Sequence, residues 1–200
     1  MPKKIDHEAR KQDIAKATWK VIMNGGMEAA SVRNIAKEAN LSLGALRHYF
    51  TTQEELLHYA MELVKARCEA RIMQVIQQVL QPKKLVTKVL LELIPIDKET
   101  MAEMQVWFMF TLHFKYKQGD TFRQTDGIRE TVQRLLIFLS ESGNMKEGKD
   151  LLKETEKLYA LIDGLAFHRF IDPENFSGEY AAEILTEYVE DLCQEEERSN

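Results

Sequence analysis

The sequence predicts an all-α protein of about nine helices, with a small three-helix N-terminal unit followed by a longer antiparallel helical body. Three observations carry that prediction. Apolar residues recur three and four positions apart almost from end to end, and no stretch alternates as a half-buried strand would. Only four prolines and nine glycines interrupt 200 residues, so long helices can run. Where breakers fall, they separate segments of helical length.

The elements follow in order. The first helix spans about 6–24, with Ile14, Ala17, Trp19, Val21 and Ile22 on its apolar side and Gly25-Gly26 as its stop. Ser31 is an N-cap candidate for a short helix through Ala39. Asn40 can adopt the left-handed turn conformation, after which Leu41 turns inward. Ser42 caps a third helix at about 43–48. Thr52-Gln53-Glu54-Glu55 reads as a capping box opening a long helix to about Gln81, and Pro82 suits the first position of the next. Further helices are expected at about 83–94, 97–117, 119–142, 147–171 and 177–195. Ile94-Pro95, Gly119, Gly143 with Gly148, and Asp172-Pro173 separate them. Glu195-Glu196-Glu197 reads as a solvated helix end. No flexible linker divides a head of 1–50 from a body of 51–200, so the helix opening near residue 52 is expected to join them.

Composition narrows the function classes. A hydrophobic fraction of 44% with 30% charged residues suits a folded soluble chain. Cys68 and Cys193 lie far apart, without a CxxC partner or zinc-finger spacing, which argues against a disulfide framework and a zinc site. MPKKIDHEAR lacks a signal-peptide core, and no apolar run reaches ~18 residues, so a cytoplasmic protein without a membrane span is expected. GxSxG, P-loop, GxGxxG and HExxH patterns are absent, and His7, His48, His58, His113 and His168 show no metal-ligand spacing. No catalytic site, metal or cofactor is therefore expected. The net charge of −5 hides an asymmetry, +4 over residues 1–50 and −9 over the rest. A basic head on an acidic body points to a polyanion met by the head alone, or to chance unevenness.

The strongest local signal is Ser31–Phe50. Val32, Ile35, Ala36 and Ala39 place small and branched apolar groups on one face, and Leu41, Leu46 and Phe50 close the same small core. Two helices of about two turns, joined by a tight turn, form a helix-turn-helix. The second keeps short outer residues, Ser42, Gly44 and Ala45, so nothing bulky bars it from a major groove.

These residues resemble the TetR/AcrR family of bacterial regulators. The family pattern appears as Ser31-Val32-Arg33, Ile35-Ala36 and Ala39, then Ser42-Leu43-Gly44-Ala45-Leu46-Arg47-His48-Tyr49-Phe50, then Gln53-Glu54-Glu55-Leu56. Two positions depart from it: Arg47 stands where many members have Tyr, and Gln53 where many have a phosphate-binding Lys. The Arg-His-Tyr-Phe variant, the leucine-rich segment before Ile94-Pro95 and the Trp107 helix are similar to the betaine-regulator-like branch. The resemblance implies a DNA-binding domain at 1–50 and an effector-binding and dimerisation domain at 51–200. It implies phosphate contacts from Ser31, Arg33 and the Tyr49 hydroxyl, and groove or flanking-backbone contacts from Ser42, Leu43, Gly44, Ala45, Arg47 and His48. Arg47 fits bidentate guanine readout or a phosphate clamp. The Gln53 amide and the adjacent helix N-terminus can donate to phosphate. Lys3, Lys4, Arg10 and Lys11 form either a solvated face or a basic arm over the duplex.

In the body, Met101–Phe114 is apolar nearly all round and rich in Met and aromatics, which suits a packed core or the lining of an adaptable cavity. The resemblance implies a pocket for a mostly apolar effector, lined by Met104, Trp107, Phe108, Phe110, His113 and Phe114, with Phe167 and His168. His113 is either a polar handle or a satisfied core histidine. Leu158, Leu161, Ile162 and Leu165, then Ile184, Leu185 and Tyr188, form two amphipathic stripes, with Gly164 and Ala166 permitting close approach. In the family such a pair meets its copy in a four-helix bundle, although the stripes could equally pack on their own chain. A homodimer would present two heads to half-sites about 34–36 Å apart, or a multiple of that. The expected function is thus a repressor released from a palindromic DNA operator by a small-molecule effector. A helical protein-interaction adaptor is the alternative, and it leaves Ser31–Phe50 unexplained.

Overall fold

The computed structural model of the protein describes residues 6–118 and 127–194. Lys3, Lys4, Gly119 and the Glu195–Glu197 tail lie outside them. The described residues hold nine helices and no strand: α1 (His7–Ala29), α2 (Val32–Glu38), α3 (Leu43–Tyr49), α4 (Gln53–Ile76), α5 (Pro82–Leu91), α6 (Lys98–Gln118), α7 (Gly127–Glu141), α8 (Leu151–Ile171) and α9 (Gly178–Leu192).

Local chemistry sets the ends. Asp6 caps α1 by accepting from the Glu8 and Ala9 N–H groups. The expected stop at Gly25-Gly26 is a kink at Gly26 alone, where φ 71° and ψ −178° suit glycine and few other residues; one further turn then runs to Ala29. Gln81 is extended (φ −62°, ψ 148°) before Pro82, because proline disfavours the helical conformation in the residue ahead of it. The fourth helix stops at Ile76, short of the expected Gln81. The eighth helix starts at Leu151, later than the expected 147, because Gly148 takes φ 76° and Asp150 supplies the cap.

The chain forms two compact units. The first contains, of the described residues, 6–67 together with 102–118. Its core gathers Ile14, Trp19 and Ile22 of α1, Ile35 of α2, Leu46 of α3, Phe50, Leu56 and Ala60 near the start of α4, and Val106 and Phe110 of α6. This unit is larger than the 1–50 head expected from sequence. The long α1 and the short α2 and α3 leave one side of their small core open, and the first part of α4 with most of α6 covers it.

The second unit contains, of the described residues, 68–101 and 127–194. Val86, Leu90, Val132, Leu136, Leu158, Ile162, Leu165, Leu185 and Val189 fill its core. Arg169 is only 8% exposed. Its guanidinium donates to the Pro95 carbonyl at 3.1 Å, to that of Pro173 at 3.2 Å and to that of Phe176. That ties the α5–α6 connection to the α8–α9 turn. Met145 pairs with Cys193 as an isolated antiparallel bridge.

Candidate nucleic-acid interface

The helix-turn-helix is built from local hydrogen bonds. The Ser31 Oγ accepts the Asn34 N–H at 3.2 Å, and the Ser42 Oγ accepts the Ala45 N–H at 3.1 Å. Asn40 takes φ 53°, and the Leu41 N–H then reaches back to the Ala36 carbonyl at 2.8 Å. Ile35, Ala36, Leu46 and Phe50 are buried. Both expected caps and the left-handed turn are present. Each capping hydroxyl accepts a backbone N–H and keeps its own proton to donate outward.

Arg33, Ser42, Leu43, Gly44, Arg47 and His48 are exposed, while Ser31, Ala45 and Tyr49 are half-buried. A Cβ on Gly44 would meet nothing within 4 Å. The fold itself therefore gives no reason for glycine there, although glycine weakens a helix relative to alanine.

Gln53 differs from expectation. Its Nε2 donates to the Ala30 carbonyl at 2.8 Å, tying the start of α4 to the α1–α2 turn instead of reaching outward. The capping box is also shifted. The Thr52 Oγ accepts the Glu55 N–H at 3.0 Å, but the Glu55 carboxylate reaches Thr51, accepting its N–H at 2.8 Å and its hydroxyl at 2.9 Å. Those two Thr51 bonds hold the Glu55 carboxyl below the usual carboxylate range.

Of the basic-arm candidates, Arg10 pairs with Asp13 at 3.7 Å, and the Lys11 ammonium lies over the Phe50 and Tyr59 rings at 5.4 and 5.6 Å. The Tyr59 hydroxyl donates to Glu8; burial, then that carboxylate, pushes its phenol well above the ordinary value.

On α6, Phe110 is 1% exposed and stacks on Phe114 at 5.8 Å. Trp107 meets Phe108 edge-on at 5.4 Å, and His113 meets Phe114 at 5.5 Å. Met104, Trp107, Phe108, His113 and Phe114 are half-buried. Two features escaped sequence reading. Glu103, 3% exposed, pairs with Arg67, whose guanidinium lies 5.8 Å from the Trp19 ring centroid. The Thr111 Oγ1 is buried and has no hydrogen-bond partner among the described residues.

Phe167 and His168 belong to the second unit. Both are exposed on α8, with His168 edge-on to Phe176 at 5.7 Å. The expected dimerisation stripes largely face their own core: Leu158, Ile162, Leu165 and Leu185 are buried there, and Leu161, Ile184 and Tyr188 pack against it. The Tyr188 hydroxyl donates to Glu154 at 3.0 Å. Ala166 is buried and Gly164 exposed. The outward side of α8 instead carries Lys153, Lys157, Ala160, Gly164, Phe167 and Ile171, spaced four and three apart. That spacing is visible in the sequence, but the neighbouring Leu158–Leu165 stripe is more apolar.

Residues 14–60 match the model for bacterial regulatory proteins of the tetR family. Residues 82–194 match that for the C-terminal part of BetI-type transcriptional repressors. The chain is 47% identical over 198 residues to the HTH-type transcriptional regulator PksA of Bacillus subtilis (strain 168), covering 99% of this chain and 97% of that one. It is 29% identical over 211 residues to the HTH-type transcriptional regulator BetI of Vibrio campbellii, covering 95% of each. A transcriptional regulator from Rhodococcus sp. Rha1 superposes with a TM-score of 0.74 at 25% identity, covering 91% of this chain and 95% of that one. A transcriptional regulator from Saccharomonospora viridis, solved in complex with choline, has the same fold: TM-score 0.78 at 18% identity, covering 94% and 98%.

Proposed function

This chain belongs to the TetR family of transcriptional regulators, with a BetI-type C-terminal domain, and from that premise we propose that it is a homodimeric repressor whose palindromic operator is released by a small, mostly apolar effector. The observation that carries the reading is the outward face of α2–α3. It is capped from within, backed by a buried core, and exposes Ser42, Leu43, Arg47 and His48 around an unobstructed Gly44. Seated in a major groove, α3 would bring Arg47 to base edges or flanking phosphate, and Ser31, Arg33, Ser42 and Tyr49 would donate to phosphates. Gln53 would act indirectly, by holding the α4 N-terminus against the α1–α2 turn.

The outward side of α8 supports the dimer. Ala160 and Gly164 would let two copies approach closely, with Phe167 and Ile171 covering each other beyond them. Phe167 thereby moves from the effector pocket to the dimer face. For the effector, the half-buried aromatic groups of α6 offer apolar contact, and the Thr111 hydroxyl offers a polar handle. The choline complex of the S. viridis protein supports a small-molecule ligand in this fold. The effector would act by binding one spacing of the two heads better than the other, and it can shift the equilibrium only by that difference.

The test is selection from random duplexes at two salt concentrations, with sedimentation of the free protein. Enrichment of a palindrome by a dimer is expected. Weak, salt-sensitive binding without enrichment would favour an adaptor and overturn the operator reading.

A further inference from the structure

His7 is the first residue of α1, yet its imidazole lies against the end of α3. Its centroid lies 4.6 Å from the Tyr49 ring and 5.8 Å from that of His48, and the His48 and Tyr49 rings are 5.6 Å apart. His7 and His48 are exposed and Tyr49 is half-buried, so three hydrogen-bonding side chains meet at one place on the surface. We propose that His7, with His48 and Tyr49, forms a cluster that binds a backbone phosphate of the DNA duplex, and that its imidazoles take up protons as the phosphate docks. The proposal rests on the DNA-binding reading above.

The neighbouring charges are committed elsewhere. On α1, Asp6 caps the helix, Glu8 accepts from Tyr59 of α4, Arg10 pairs with Asp13, and Lys11 lies over the Phe50 and Tyr59 rings. At the start of α4, Glu55 is bonded by Thr51. On α3, Arg47 is exposed beside His48 and adds positive charge. Among the described residues neither imidazole forms an ion pair with a carboxylate. Two protonated rings at 5.8 Å repel each other, and Arg47 adds to that repulsion. Asp6 and Glu8 flank His7 but are engaged by the α1 cap and by Tyr59. A phosphate would accept from both imidazolium N–H groups and from the Tyr49 hydroxyl, and its charge favours the protonated rings. Protonation and DNA binding are then reciprocally linked. Packing of the three rings holds the donors together before DNA arrives.

The experiment is fluorescence anisotropy at constant ionic strength from pH 8 to pH 6, with the best-enriched duplex from the selection and a random-sequence duplex. Uptake of about half a proton across that range tightens wild-type binding about tenfold. His7→Gln should cut the gain to about threefold and the His7→Gln/His48→Gln pair should nearly abolish it, whereas His58→Gln, on the exposed side of α4, should keep the wild-type profile. A flat wild-type profile, or a His7→Gln profile matching wild type, overturns the proposal. Because a variant can lose its fold, the His7 and His48 ring protons of the wild type are also followed by NMR. Both should titrate at higher pH with duplex bound, and unchanged titration overturns the proposal independently. Binding to neither duplex at any pH would refute the DNA-binding reading itself, whereas binding with a flat pH profile would refute only the phosphate cluster.

Discussion

Gly44→Ala should stabilise the protein while weakening its hold on DNA. The position lies in the first turn of α3, and a Cβ there meets nothing within 4 Å, so the added methyl neither clashes nor packs. What remains is the backbone term, in which alanine is favoured over glycine in a helix by up to about 1 kcal/mol. For a chain of 200 residues that corresponds to a rise in Tm of about 2–4 °C. In the groove the same methyl would lie between the helix backbone and the base edges. Preventing close approach should cost at least about 1.4 kcal/mol of operator binding, a tenfold loss. Thermal melts at fixed protomer concentration would be paired with anisotropy on the selected duplex, because dimer stability depends on concentration. A variant that melts higher and binds as tightly as wild type would refute the close approach of α3 at Gly44. One that melts lower would refute the open environment on which the reasoning stands.

Three further outcomes are expected. Arg47→Ala should lose discrimination at one base position by about 1–3 kcal/mol if Arg47 reads guanine, whereas Arg33→Ala should weaken binding to all duplexes and flatten its salt dependence; competition binding at two salt concentrations separates them. Phe167→Glu should yield a folded monomer by sedimentation, since the side chain is 48% exposed on the chain itself, whereas Leu158→Ala, at a position 1% exposed, should cost about 2–5 kcal/mol of folding in chemical denaturation. Gly178→Ala should destabilise by about 1–3 kcal/mol or more, because its Cβ would lie 2.1 Å from the Ile96 carbonyl oxygen, and a melt no lower than wild type would contradict that contact.

The sequence alone determined what depends on near neighbours. Helical periodicity set the elements, and Ser31, Ser42, Asn40 and Pro82 set caps and turns because each acts on backbone groups within a few residues. The helix-turn-helix was legible for the same reason. Tertiary structure decided what depends on which other helix arrives. An apolar stripe such as Leu158–Leu165 shows that a surface is buried but not against what, and its own α5, α7 and α9 cover it. Gln53 read as a phosphate donor until the Ala30 carbonyl came within reach across 23 residues. Glu103, Arg67 and Trp19 sit on three helices, and no local pattern couples them. His7 joins His48 and Tyr49 in the same way. Short-range hydrogen bonding is written in adjacent residues, whereas the pairing of faces is settled only when the whole chain has packed.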